Sequence, residues 1–134
     1  MNRRSFLLTT AACFAAKPTL AMQPAPELIQ EHLDNGKTVF IDFTTVWCTT
    51  CAAQKRVMSA LRSGNPAYDE NIEFVTVDFD DYRKHPFTKA LNIPRRSTLV
   101  VLKGDAELGR IVAGTSTADI QSLMDTALQA AMAS

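Results

Sequence analysis

The sequence is short of charge imbalance, of cysteine and of long apolar runs, and each shortage removes a class of function. Fourteen basic and 14 acidic side chains in 134 residues leave a formal net charge of zero, so no basic field points to nucleic acid and no acidic tail points to disorder. No apolar stretch reaches the roughly 20 residues needed to span a bilayer. Three cysteines and two histidines do not supply the second Cys or His pair that a four-ligand structural zinc site normally brings, so no metal site is expected. His32 and His85 stand far apart and carry no catalytic claim. A chain of this length, 46% hydrophobic, fits one domain.

What is present begins with an export signal. Arg3 and Arg4 precede an apolar stretch from Phe6 to Ala16, and Thr19-Leu20-Ala21 supplies the small-residue end, so residues 1–21 read as a cleavable signal peptide. Asn2-Arg3-Arg4-Ser5-Phe6-Leu7 is similar to the twin-arginine motif. Asn2 and Leu8 depart from that motif, which leaves the general secretory route open. Thr10-Ala11-Ala12-Cys13 is a weaker, lipoprotein-like alternative without the expected leucine. Export places the mature protein in the periplasm, soluble and monomeric. Cleavage near Ala21 removes Arg3, Arg4, Lys17 and Cys13, leaving a net charge of −3 and only Cys48 and Cys51 as cysteines. A disulfide closing so short a loop removes little unfolded-state entropy, so the pair suits redox chemistry better than stapling.

Residues 22–26 read as a flexible leader and 27–134 as the single domain. Leu28, Ile29 and Leu33 recur at helical spacing and Asn35-Gly36 ends that helix. Thr38 to Phe43 is a β-branched and aromatic run suited to a buried strand, interrupted only by Asp42. Ala52, Ala53, Val57, Ala60 and Leu61 mark a helix ending near Gly64. Ile72 to Val77 is a second strand, and a short helix leads toward Leu91. Thr98 to Leu102 and Leu108 to Ala113 form a hairpin, and Ser116-Thr117-Ala118-Asp119 caps a final amphipathic helix. That order predicts an α/β fold, a central sheet with helices on both faces.

Cys48-Thr49-Thr50-Cys51 opens the second helix. Unpaired backbone N–H groups and the positive end of the helix dipole there stabilise a thiolate on Cys48, the expected nucleophile. Cys51, three residues on, lies one turn inward on the same face, where it can resolve a mixed disulfide. Asp42-Phe43-Thr44-Thr45-Val46-Trp47-Cys48-Thr49-Thr50-Cys51 resembles the strand, buried carboxylate, tryptophan and active-site disulfide of the thioredoxin family, and Ile93 to Gly104 with Gly114 continues the resemblance. Periplasmic thioredoxins and the reducing domains of thiol:disulfide interchange proteins look nearest.

The resemblance implies a thioredoxin fold with a mixed four-stranded sheet, no cofactor, and Asp42 as the carboxylate that assists proton transfer at Cys51. A strand-end aspartate bonded to backbone is the plainer role. Trp47 is expected to cover the sulfurs and, with Thr49, Thr50, Arg96 and Ser97, to meet substrate, although a lone tryptophan also serves as packing. Thr49-Thr50 departs from the Gly-Pro pair of common thioredoxins. Ser97 stands where the family has a cis-proline, and the Arg96–Ser97 peptide is expected to be trans. Arg95 and Arg96 either recruit an acidic partner, stabilise the Cys48 thiolate, or form a solvated loop. The implied activity is reduction of disulfides in envelope proteins, with an inner-membrane electron carrier restoring the dithiol. The alternatives are a disulfide oxidase or isomerase, or a thiolate protein that handles copper.

Overall fold

The first strand, β1 (Thr38–Thr44), is buried along its whole length, which accounts for a β-branched and aromatic composition broken only by Asp42: both of its faces are covered. It is an interior strand of a four-stranded sheet whose order is β2-β1-β3-β4, with β2 at Ile72–Asp78, β3 at Thr98–Lys103 and β4 at Ala106–Val112. The computed structural model describes residues 25–133. The export segment, Cys13 and the leader before Ala25 lie outside the described residues.

Strand β1 pairs in parallel with β2, Thr38 opposite Ile72 and Thr44 opposite Asp78. It pairs antiparallel with β3, Phe43 opposite Thr98. Strand β4 closes the hairpin on β3, with an irregularity between Val101 and Leu102. The sheet is therefore mixed and four-stranded, the fold class the sequence implies.

Among the described residues six helices surround it: α1 (Ala25–Asp34), α2 (Thr49–Gly64), α3 (Ala67–Asn71), α4 (Phe79–Tyr82), α5 (Pro86–Ala90) and α6 (Thr117–Met132). The pleat sends alternate residues to opposite faces. Phe40, Leu99 and Val101 pack against Met58 of α2, Tyr68 of α3 and Ile120 and Met124 of α6. Val39, Ile41, Phe43 and Val77 pack against Ile29 of α1, with Phe79, Tyr82 and Phe87 of α4 and α5 beside them. Asp42 shares its pleat with Phe40, so its carboxyl group faces α2. Among the described residues no helix is long and apolar enough to cross a membrane.

The elements differ from the sequence expectation in four places. Helix α1 starts at Ala25, so Ala25 and Pro26 belong to the helix and not to the leader, and Pro26 is buried; a proline fits the first helical turn, where its missing N–H has no partner to lose. Helix α3 follows Pro66 and is pinned to α6 by the Tyr68 hydroxyl, which donates to Asp125. The helix expected before Leu91 is two short ones, because Asp78 caps the first through the Asp80 and Asp81 N–H groups and His85 caps the second, its Nδ1 accepting from Phe87 N–H at 3.1 Å. Strand β4 starts two residues early, at Ala106.

Candidate active site

Cys48 is the N-cap residue of α2, with extended backbone (φ −86°, ψ 117°). Its Sγ accepts the Cys51 N–H at 3.2 Å, which satisfies one of the orphan donors of the first turn. A thiolate serves that role better than a neutral thiol, because hydrogen bonds to a charged acceptor are stronger. Cys51 sits inward on α2 and is buried, as is Cys48; both are free cysteines. Thr49 is exposed and Thr50 half-buried at the rim between them.

The second wall of the site comes from the loop before β3. The Ser97 hydroxyl lies 3.1 Å from Cys48 Sγ and 3.0 Å from Cys51 Sγ. Its backbone is left-handed, with φ at +62°, and the Arg96–Ser97 peptide is trans. A serine in that region carries strain of about 1–2 kcal/mol, and the loop offsets it with a dense set of bonds. Ser97 N–H donates to the Phe43 carbonyl at 2.8 Å, and the Ser97 carbonyl accepts from Ala113 N–H at 2.8 Å and from Gln54 Nε2 at 2.9 Å. Gln54 Nε2 also donates to the Gly114 carbonyl at 2.9 Å. A Cβ on Gly114 would stand 2.8 Å from Ile111 Cγ2, so glycine lets the chain pass close to β4 here.

Arg96 and Trp47 form the outer rim. The Arg96 guanidinium stacks 4.2 Å from the centre of the Trp47 ring, and Trp47 Nε1 donates to Asp80 at 2.8 Å. Trp47 remains 59% exposed, so it is a surface residue held at both ends and not part of the core. Arg95 Nε donates to the Arg96 carbonyl at 3.1 Å, occupying a backbone acceptor at the rim.

The electrostatics of the pair follow from these contacts. Burial pushes the Cys48 thiol up, but the neighbouring Cys51 side chain, the Ser97 hydroxyl, the Cys51 N–H and the Arg96 guanidinium together outweigh it and bring it down to about 6. Asp42 goes the other way: burial raises its carboxyl to about 6 against the pull of Lys55. Asp42 Oδ1 is buried with no hydrogen-bond partner. A cleft of ≈ 270 Å³ lined by Asp42, Lys55, Met58, Ser59 and Thr76 runs past it. Among the described residues no group of three or more His, Cys, Asp or Glu is placed to hold a metal ion.

Sequence reasoning missed Gln54, Lys55 and Asp80. Gln54 was detectable, because it lies three residues after Cys51 on the same inward face of α2, in a stripe completed by Met58, and a fully buried polar side chain there needs partners. Asp80 offered no such signal: its pairing with Trp47 spans 33 positions of chain.

The chain resembles known proteins over most of its length. Residues 21–104 match the family model described as thioredoxin-like. The chain is 28% identical over 104 residues to putative thioredoxin H10 of Arabidopsis thaliana, an alignment covering 78% of this chain and 63% of that protein. It is 31% identical over 86 residues to the H-type thioredoxin of Fagopyrum esculentum, covering 64% of this chain and 69% of that protein. With thioredoxin H5 of Oryza sativa subsp. japonica the match spans 59% of the relative's length. Among solved structures, the thioredoxin of Malassezia sympodialis superposes with a TM-score of 0.66 at 22% identity, covering 78% of this chain and 89% of that one. Trxlp from Edwardsiella tarda EIB202 gives 0.63 at 23%, covering 72% and 91%. Given this match over the strand, the cysteine pair and the loop before β3, the chain belongs to the thioredoxin-like family.

Proposed function

We propose that the protein is an exported thiol:disulfide oxidoreductase that reduces disulfides of envelope proteins. One observation carries the reading: Cys48 caps α2 with its Sγ accepting the Cys51 N–H at 3.2 Å and the Ser97 hydroxyl 3.1 Å away, contacts that draw its thiol down to about 6, with the second thiol of Cys51 one helical turn away. Cys48 Sγ attacks a substrate disulfide, the S–S bond breaks, and one substrate sulfur leaves as a thiolate. Cys51 then loses its proton and attacks Cys48 Sγ, releasing the second substrate thiolate and leaving a Cys48–Cys51 disulfide. Asp42, with a carboxyl group that titrates near 6, is the group on the α2 side of the sheet able to take that proton near neutrality. A membrane-bound dithiol carrier returns two electrons and two protons. The export signal at residues 1–21 supports a periplasmic site of action, and the absence of histidine between the cysteines supports reduction as the direction. The Arg95 guanidinium on the Arg96 carbonyl narrows backbone pairing with substrate peptides, which favours a small set of partners.

Expressing Cys51→Ser with its export segment tests this. Discrete envelope proteins are expected to accumulate as mixed disulfides on Cys48 and to be released by dithiothreitol, and none should appear with Cys48→Ser. A Cys48 that is alkylated readily yet traps nothing would overturn the reading.

A further inference from the structure

Ser97 occupies its place by doing three things a proline cannot. Its N–H donates to the Phe43 carbonyl, a bond proline lacks the donor for. Its φ of +62° is closed to a ring fixed near −65°. Its hydroxyl is within hydrogen-bond distance of both sulfurs, at 3.1 and 3.0 Å. The first two features, with the Gln54 and Ala113 bonds to its carbonyl, fix the loop so that the third is aimed.

A serine hydroxyl has one proton to donate and two lone pairs to accept with. Placed between two sulfurs, it can donate to only one of them. The half-ionised dithiol has a thiolate and a thiol, so both contacts are satisfied together only when one sulfur accepts from the hydroxyl and the other donates to it. Cys48 Sγ already accepts from the Cys51 N–H, which makes it the sulfur that carries the charge. We propose that Ser97 is a catalytic residue of this site, donating its O–H to the Cys48 thiolate and accepting the Cys51 S–H, so that it assigns the charge to Cys48 and the proton to Cys51.

Other charged or titratable groups surround the pair. Arg96 reaches Cys48 from the same loop, Asp80 stands behind Trp47, and Asp42 with Lys55 lies on the α2 side of β1. Arg96 adds attraction for a thiolate but has no acceptor, so it cannot hold the Cys51 proton. Only Ser97 contacts both sulfurs among the described hydrogen bonds.

The role of Ser97 rests on the dithiol chemistry proposed above but is read without any substrate. Alkylation of Cys48 is followed against pH in the reduced wild-type protein, in Ser97→Ala and in Ser97→Gly. Alanine keeps the Cβ and the strain of a positive φ, whereas glycine relieves it, so a shift shared by both variants belongs to the hydroxyl. Both variants are expected to move the inflection upward by about one pH unit, as loss of a hydrogen bond to a charged acceptor implies. The hydroxyl stabilises the dithiol form alone, so the redox potential should fall by about 30 mV for each tenfold loss. An unmoved inflection in both variants, or one moved in only one of them, overturns the proposal. A wild-type chain that shows the low inflection but exchanges no protein disulfide sinks the proposed function and leaves the role of Ser97 standing.

Discussion

The rim and the floor of the site reach nearly the same acidity by opposite physics. Cys48, at the rim, starts from a thiol near 9.0 and is brought down to about 6 by hydrogen bonds that win over burial. Asp42, in the strand on the α2 side, starts near 3.8 and is brought up to about 6 by burial that wins over Lys55. The rim brings the Cys51 N–H and the Ser97 hydroxyl to one sulfur; the floor has an oxygen with no partner. Where the chain supplies partners, the charged form is held, and where it withholds them, the neutral form is held.

That contrast is a statement about stability as well as reactivity, and it breaks in opposite directions. Between pH about 4 and 6 the folded chain keeps a proton on Asp42 that the unfolded chain has released, so the contribution is full below about 4 and is lost as pH rises through 6. Between about 6 and 9 the unfolded chain keeps a proton on Cys48 that the reduced folded chain has released, so that contribution grows with pH and is lost as pH falls through 6. Asp42→Asn should therefore stabilise the protein at pH 7 by up to about 3 kcal/mol, and the gain should vanish near pH 3.5. Urea unfolding of the reduced protein should show stability rising from pH 6 to 9, a slope that Cys48→Ser abolishes. If Asp42→Asn is no more stable than wild type at pH 7, the floor is not desolvated as described.

How much of this was legible in the sequence depends on how far apart the partners are. The helix-opening cysteines announced themselves, because Cys48 and Cys51 are neighbours whose geometry is set by one turn of α2. The sheet was legible too, since β1 and β3 carry runs of β-branched and apolar residues on both faces, as a strand covered on both sides needs. Asp42 stood out as the one acid in such a run. Strand ends, α3 and the division between α4 and α5 were not legible, because caps at Asp78 and His85 decide them within a few residues. The second wall of the site was hidden for a different reason. Ser97 could be seen as a departure from a cis-proline, but its contacts to Cys48 and Cys51 span 49 and 46 positions, and its left-handed backbone depends on Gln54 and Ala113. Nothing local to Arg95-Arg96-Ser97 encodes them.

Gln54 offers a sharper cut between rim and loop. Replacing it by leucine removes two donated bonds, to the carbonyls of Ser97 and Gly114, and leaves the Gly114 carbonyl short of a partner while Ser97 keeps the Ala113 N–H. It also removes Gln54 Oε1, which is buried without a partner of its own. The net cost should be roughly 1–2 kcal/mol in chemical denaturation. Because the Ser97 hydroxyl itself is untouched, the Cys48 inflection should move less than in Ser97→Ala. A shift as large as that of the serine variants would mean that loop placement, and not the hydroxyl, sets the rim.

The smallest effect separates the rim's surface from its chemistry. Asp80 holds the Trp47 indole N–H, and Arg96 stacks on the other side of the ring, so Asp80→Ala frees one end of a residue that is already 59% exposed. A stack at such an exposed site contributes about 0.5–1 kcal/mol, too little to unfold the chain when its partner loosens. Trp47 is the only tryptophan, so its fluorescence reports the change alone: the emission should shift to the red and become easier to quench. Exchange with a protein disulfide should slow by roughly two- to fivefold, in line with a loss of that size, while the pH at which Cys48 ionises stays where it was. An ionisation that followed the fluorescence would mean that Trp47 and Arg96 act on Cys48 as a unit, and that the rim has no separable docking surface.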